Sequence, residues 1–182
     1  MSPTLYPNSR EKTETITFRL PTSLLKGLKK DAQFEGISLN SLATKVFSNH
    51  VQWEKYERKM GLLPMTKVFL KDVIERMTPE EIINLADQIE KDYFKSMLVF
   101  MKRGHNKKEF VNVLRTWLSV SWMQLSLEVR DDGNYYFTIR HDLGKNWSLY
   151  IKTLVLELYH DGFSNDINID TTESTISIIF PS

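Results

Sequence analysis

Thr15, Thr17 and Arg19 stand at every second position of a six-residue run, Thr15 to Leu20, whose other positions are Ile16, Phe18 and Leu20. A period of two sends alternate side chains to opposite faces of a strand, so the apolar set belongs on a core and the two hydroxyls and the guanidinium on the other side. That polar face has usable chemistry. A threonine hydroxyl donates and accepts, or sets its methyl against a thymine, and the planar arginine fork fits guanine O6 and N7 in a bidentate pair. The same T-x-T-x-R row on an isolated strand is most often a solvated sheet face, so its meaning depends on the elements that come after it in the chain.

The period changes at Pro21, which lacks the N–H needed to continue a ladder and presets φ for a helical first turn. The spacing predicts a helix from about Ser23 to Phe34, with Leu24, Leu28 and Ala32 on one stripe, Leu25 beside it, and Lys26, Lys29 and Lys30 facing away. Gly36 is placed as its left-handed stop and Ser38 as the N-cap of a second helix carrying Leu39, Leu42, Ala43, Val46 and Phe47. One short strand and two helices bury too little surface to stand alone. A second copy is the simplest partner: the two strands pair antiparallel and the four helices share a core, which also removes both strand edges.

With T-I-T-F-R-L-P, the leucine-spaced helix and E-G-I-S-L-N-S in order, residues 13–52 resemble a ribbon-helix-helix DNA-binding domain of the Arc, MetJ and CopG type. In that family a two-stranded ribbon enters the major groove. The resemblance implies that Thr15, Thr17 and Arg19 read bases and that the start of the second helix, Ser38, Leu39 and Asn40, sits on a phosphate. Free N–H groups and the positive end of a helix make the second point reasonable by themselves. Lys12 and Lys45 are expected to join the backbone contacts, and Arg10 lies beside Lys12 in an aperiodic arm over residues 1–12 that contains Pro3 and Pro7.

The whole chain sets wider bounds. Its 182 residues allow one ordinary domain or two small ones, and 41% hydrophobic with 26% charged residues is globular composition. Cysteine is absent, which removes disulfides, thiolate zinc sites and a cysteine nucleophile. The N-terminus has no apolar signal region and no run is long enough for a membrane span, so the expected location is the cytoplasm. Net charge is only +1, but residues 1–60 hold 10 Lys/Arg against 6 Asp/Glu, leaving 14 against 17 for the rest. A basic front with an acidic back suits a DNA-binding module joined to something that does not touch DNA.

Beyond residue 52 the pattern predicts a charged helical extension, W-E-K-Y-E-R-K-M, ending at Gly61, so the first domain is placed at 13–60 and a second at 61–182. Three helices come first: about Met65 to Met77, a long one from the Thr78-Pro79-Glu80-Glu81 capping box to about Lys102, and about Lys107 to Leu118. Met123–Arg130 and Tyr135–His141 flank the turn Asp131-Asp132-Gly133-Asn134 as a hairpin. A helix from Lys145 to Tyr159 and strands at Asp166–Asp170 and Ser174–Phe180 complete an α+β domain on a four-stranded sheet.

Chemistry in this second half is sparse. His141-Asp142, His160-Asp161 and His105 raise a histidine–carboxylate metal site, against a plainer reading in which His105 and His160 end helices and Asp142 caps one. Trp117, Trp122, Tyr135, Tyr136, Phe137 and Trp147 line either a core or an apolar effector pocket, and Lys102, Arg103, His105, Lys107 and Lys108 form a basic cluster. No nucleophile elbow, phosphate loop, dinucleotide fingerprint or H-E-x-x-H is present, so no enzyme and no cofactor are expected. The expected function is a homodimeric, sequence-specific transcriptional regulator whose second domain assembles dimers further or senses a signal. The alternatives are an antitoxin, a plasmid copy-control or DNA-structural protein and, further from the pattern, a metal- or ligand-responsive repressor. A folded second domain argues against the antitoxin, whose toxin-binding tail is normally short and disordered.

Overall fold

The computed structural model describes residues 12–100, 106–163 and 166–181, so Arg10, Lys102, Arg103, His105 and nearly all of the arm lie outside the described residues. Helices combine with a four-stranded antiparallel sheet, an α+β architecture, and contacts group into two units, Met1–Ser48 and Asn49–Ser182.

The first unit holds helix α1 (Thr22–Phe34) and most of α2 (Leu39–Asn49). Residues 12–20 belong to no helix or strand. An alternating run becomes a strand only when a ladder partner takes its N–H and C=O groups, and Thr15–Leu20 has none among the described residues.

The second unit begins with Asn49, a π-type turn (His50–Glu54) and α3 (Lys55–Met60). Residues 49–60, expected with the first domain, group here because Trp53 is 1% exposed and the Tyr93 hydroxyl donates to the Met60 carbonyl. Next come α4 (Lys67–Glu75) and the helix opened by Thr78. The capping box is present: Glu81 N–H donates to Thr78 Oγ1 at 3.3 Å and Thr78 N–H to Glu81 Oε2 at 2.7 Å. The single long helix expected here is instead α5 (Pro79–Asn84), a π-type segment (Leu85–Glu90) and α6 (Lys91–Phe100). At the second junction Lys91 bridges Asp87 at 2.5 Å and Glu157 at 3.3 Å.

Helix α7 (Lys107–Val120) leads into β1 (Gln124–Val129), β2 (Tyr135–Arg140), α8 (Lys145–Gly162), β3 (Asn168–Thr171) and β4 (Thr175–Phe180), and the strands lie in the order β1-β2-β4-β3. Register puts Leu127, Phe137, Ile178 and Ile169 in one buried row across all four strands. The row on the opposite face is Ser126, Thr138, Ser177 and Asp170. One face is therefore core and the other open, the usual antiparallel arrangement. Helix α7 packs on β1, while α8 packs on β3, β4 and the helices α4 to α6. The hairpin closes with a three-residue loop: Gly133 N–H donates to Arg130 O at 2.8 Å, and Gly133 takes φ +78°.

Between β2 and α8, His141 is 7% exposed. Ser148 Oγ donates to Thr172 O at 2.6 Å, so it accepts from His141 Nε2 at 2.9 Å, and Nδ1 accepts the Leu143 N–H at 3.3 Å. This network assigns the neutral Nε2–H tautomer. Asp142 does not cap α8 as expected, since Gly144 holds the N-cap position. Its carboxylate pairs with Lys67 at 2.9 Å.

Burial, the first cause, pushes the His141 pKa below its ordinary value, with Asp142 opposing and Lys67 assisting. The unfolded chain binds a proton at this side chain below about pH 6.5, while the fold resists it. This contribution to stability is therefore complete above that pH and is lost progressively as pH falls below it. Urea unfolding at pH 7.5 and 5.5 is expected to show lower stability at the acid pH, and His141→Asn should flatten that difference while lowering stability at pH 7.5.

Candidate nucleic-acid interface

The first unit's turn is built by local rules. Gly36 sits at φ +67°, its N–H donates to Gln33 O at 3.2 Å, and the Ile37 N–H donates to Ala32 O at 3.0 Å. That bond pair is the Schellman end of a helix, which favours glycine at the left-handed position. Ser38 then caps α2: its Oγ accepts the Ser41 N–H at 3.0 Å, and its carbonyl accepts the Leu42 N–H at 3.0 Å. The Ser41 donor is thereby used, leaving the N–H groups of Leu39 and Asn40 without an intrahelical acceptor, as at any helix start. They sit at the positive end of the helix, where an anion is favoured.

Thr15, Thr17 and Arg19 are all exposed. The segment that carries them touches α2 through Phe18, whose ring lies 5.5 Å from that of Phe47. Lys12, Ser38 and Asn40 are exposed and Leu39 is half-buried. Lys45 Nζ is bound to Glu35 Oε2 at 2.7 Å, so it meets a phosphate only by sharing or leaving that carboxylate. Glu35 was not among the sequence-derived site residues, and pairing across the turn has no periodic signal. Phe18 and Phe47 were legible only as members of two separate apolar faces.

The apolar side of this unit is largely uncovered. Among the described residues only Ala32 and Leu42 are buried hydrophobics there, while Ile16 is 72% exposed and Phe18 and Phe47 51% each. Leu20, Leu24, Ile37 and Val46 are exposed as well.

The second unit's candidates resolve differently. His141 is buried and satisfied, His160 lies in the last turn of α8, and among the described residues no three His, Cys, Asp or Glu side chains group around a metal-sized space. Trp117 lines an apolar cavity with Phe94 and Phe110, but its volume is about 20 Å³, room for a single water rather than an effector. Trp147 and Phe137 are core, whereas Trp122 is 85% exposed. Lys107 donates to the Pro181 carbonyl. No helix among the described residues is long and apolar enough to cross a membrane.

Nothing lies within 4 Å of a Cβ built on Gly36, so a substitution there meets only the backbone cost of the left-handed region. Gly36→Ala is expected to lower the stability of this unit by about 1 kcal/mol. Gly36→Asn should cost less, both read by thermal unfolding followed by circular dichroism. Comparison of the chain with family models, curated proteins and solved structures returns no match.

Proposed function

We propose that the chain is a sequence-specific, DNA-binding transcriptional regulator of the cytoplasm, whose residues 13–52 form a ribbon-helix-helix unit completed by a second copy. The observation that carries this reading is the uncovered apolar side of the first unit. Ile16, Phe18 and Leu20 alternate with Thr15, Thr17 and Arg19, and the apolar members join Leu24, Val46 and Phe47 in facing solvent in the single chain. Full burial of one such side chain is worth about 1.5–3 kcal/mol. Covering the exposed halves of six of them stabilises an assembly by roughly 5–10 kcal/mol per chain before entropic costs. Pairing two copies of Thr15–Leu20 supplies that cover and gives each backbone the ladder partner it lacks.

In the paired ribbon the hydroxyls and the guanidinium share one solvent-facing surface of a width that the major groove admits. Arg19 takes a guanine edge, and Thr15 and Thr17 take adjoining positions. The free N–H groups of Leu39 and Asn40 hold a backbone phosphate, and Lys12 adds a charge contact. Lys26, Lys29 and Lys30 are exposed on α1 and add to the positive field.

Two measurements test this. Arg19→Ala is expected to cost roughly 1–3 kcal/mol on a site selected from random duplexes and to relax the base preference there, with folding unchanged because the side chain is exposed. Unaltered affinity and preference would remove Arg19 from the groove. Phe47→Asp separates the assembly from the base contacts. At a half-exposed position of a monomer it is tolerated, but in a shared core it breaks the paired ribbon and abolishes DNA binding. Unchanged affinity for the selected site would sink the shared core.

A further inference from the structure

β1 is the terminal strand of the sheet on its side, and its outward backbone groups can be identified. The Arg130 N–H donates across the hairpin to Asn134 O at 3.2 Å. Alternation along an antiparallel strand then turns the N–H and C=O groups of Val129, Leu127 and Leu125 away from β2. The other terminal strand, β3, has only four residues, one of them Asp170, and Asp166 lies just before it; short length and charge are how natural sheets discourage edge pairing. β1 has six residues paired to β2 without a bulge, no proline or lysine, and a single charge, Glu128. It is the longer and less protected edge.

We infer that two copies of this chain pair β1 against β1, antiparallel, about a two-fold axis at Leu127. Opposed residues in an antiparallel pair share a face, so the inner set (Leu125, Leu127, Val129) must meet itself and the outer set (Gln124, Ser126, Glu128) must meet itself. Three registers satisfy that near the middle of the strand. An axis at Glu128 sets two carboxylates directly opposite, which repel. An axis at Ser126 requires the Met123 N–H, which is already bonded to Leu118 O at 3.2 Å.

The axis at Leu127 uses every outward group of the three residues. Leu127 faces Leu127 of the second copy and Leu125 faces Val129, which is 48% exposed in the single chain. On the open face Ser126 meets Glu128 and Gln124 meets Arg130, with no like charges opposed. The same register brings the end of α7, at Trp122, toward the second copy's hairpin end. Trp122 follows α7 in the left-handed position usually given to glycine, at φ +59°, and is 85% exposed. A strained backbone that holds a large aromatic in water beside a bare strand edge fits a contact residue. The pairing is carried by second-unit residues alone and stands apart from the reading of residues 13–52.

The chain has no cysteine, so cross-linking is clean. Ser126 and Glu128 of opposite copies form a non-hydrogen-bonded pair with Cα atoms about 4.5 Å apart, within disulfide reach. The full-length Ser126→Cys/Glu128→Cys double variant, mildly oxidised, is expected to run largely as a covalent dimer on non-reducing gels, with each single variant remaining mostly monomeric. Efficient cross-linking of Ser126→Cys alone would place the axis elsewhere and overturn the register, and no cross-link in the double variant overturns the pairing. Val129→Pro in that background removes one outward N–H and is expected to abolish the cross-link, because edge strands tolerate proline where the N–H faces away from the sheet. A persisting cross-link contradicts the assignment. Hydrogen exchange on the unmodified chain is independent of whether that variant folds. The amides of Leu125, Leu127 and Val129 should be protected, and protection that falls on dilution marks a second copy. Fast exchange at all concentrations means a bare edge, and protection that does not fall with dilution means a different strand covers it; either result ends the proposal.

Discussion

The first unit lacks a core of its own, and that shortage governs how the chain can exist. Ala32 and Leu42 are its only buried hydrophobics among the described residues, yet its helices are capped, its turn is specified and its apolar stripes are in phase. Local rules have done their part and burial has not followed. Conformational entropy costs about 1–2 kcal/mol per ordered backbone residue, and two buried side chains do not offset that over two helices. In the proposed dimer a second copy supplies that apolar surface, and the same contact orders the segment from Thr15 to Leu20.

The second unit shows the opposite balance. Trp53, Ile82, Leu118, Phe137, Ile151, Leu154, Tyr159 and Phe180 are all fully buried, and a row of apolar residues crosses the entire sheet. Its polar links sit where secondary structure would leave backbone groups unpaired. Asn146 Nδ2 donates at 2.8 Å to Met77 O, just past the end of α4, and at 3.0 Å to Ile74 O, which also accepts the Met77 N–H, tying that end to the start of α8. Ser148 does the same for Thr172 O while accepting from His141. These groups resemble catalytic residues in type, but their partners are structural.

Much of this was legible because local chemistry determines it. Pro21, Gly36 and Ser38 announced α1, its end and α2, Thr78-Pro79-Glu80-Glu81 announced a capping box, and Asp131-Asp132-Gly133-Asn134 announced the hairpin. Each signal acts within four residues. The two π-type segments were not legible, because one extra residue in a turn shifts an apolar stripe by an amount that periodicity absorbs. The division at Ser48 rather than near residue 60 follows from Trp53, whose burial is a tertiary fact on an unbroken helical pattern. Asp142 read as a cap because it precedes a helix, yet a lysine distant in sequence, Lys67, claims it. At the proposed interface the exposed row of Thr15, Thr17 and Arg19 followed from period two, but the hold of Glu35 on Lys45 crosses a turn and leaves no periodic trace.

The two proposed self-complementary surfaces, if both form, have consequences that neither has alone. An isologous contact imposes a two-fold axis. If the axis relating two copies of Thr15–Leu20 and the axis relating two copies of β1 coincide, the assembly closes as a dimer and the second contact only reinforces the first. If they differ, every chain joins two different neighbours, and the assembly either closes as a four-chain ring of dihedral symmetry or grows without limit. A closed tetramer carries two ribbons, and a second ribbon held near DNA by the first binds at an effective concentration that can raise avidity roughly 10²–10⁴-fold without any new base contact. That gain exists only when half-site spacing matches the separation of the ribbons. In this second case the edge of β1, which touches no base, sets the spacing of the DNA sites that the chain can occupy together.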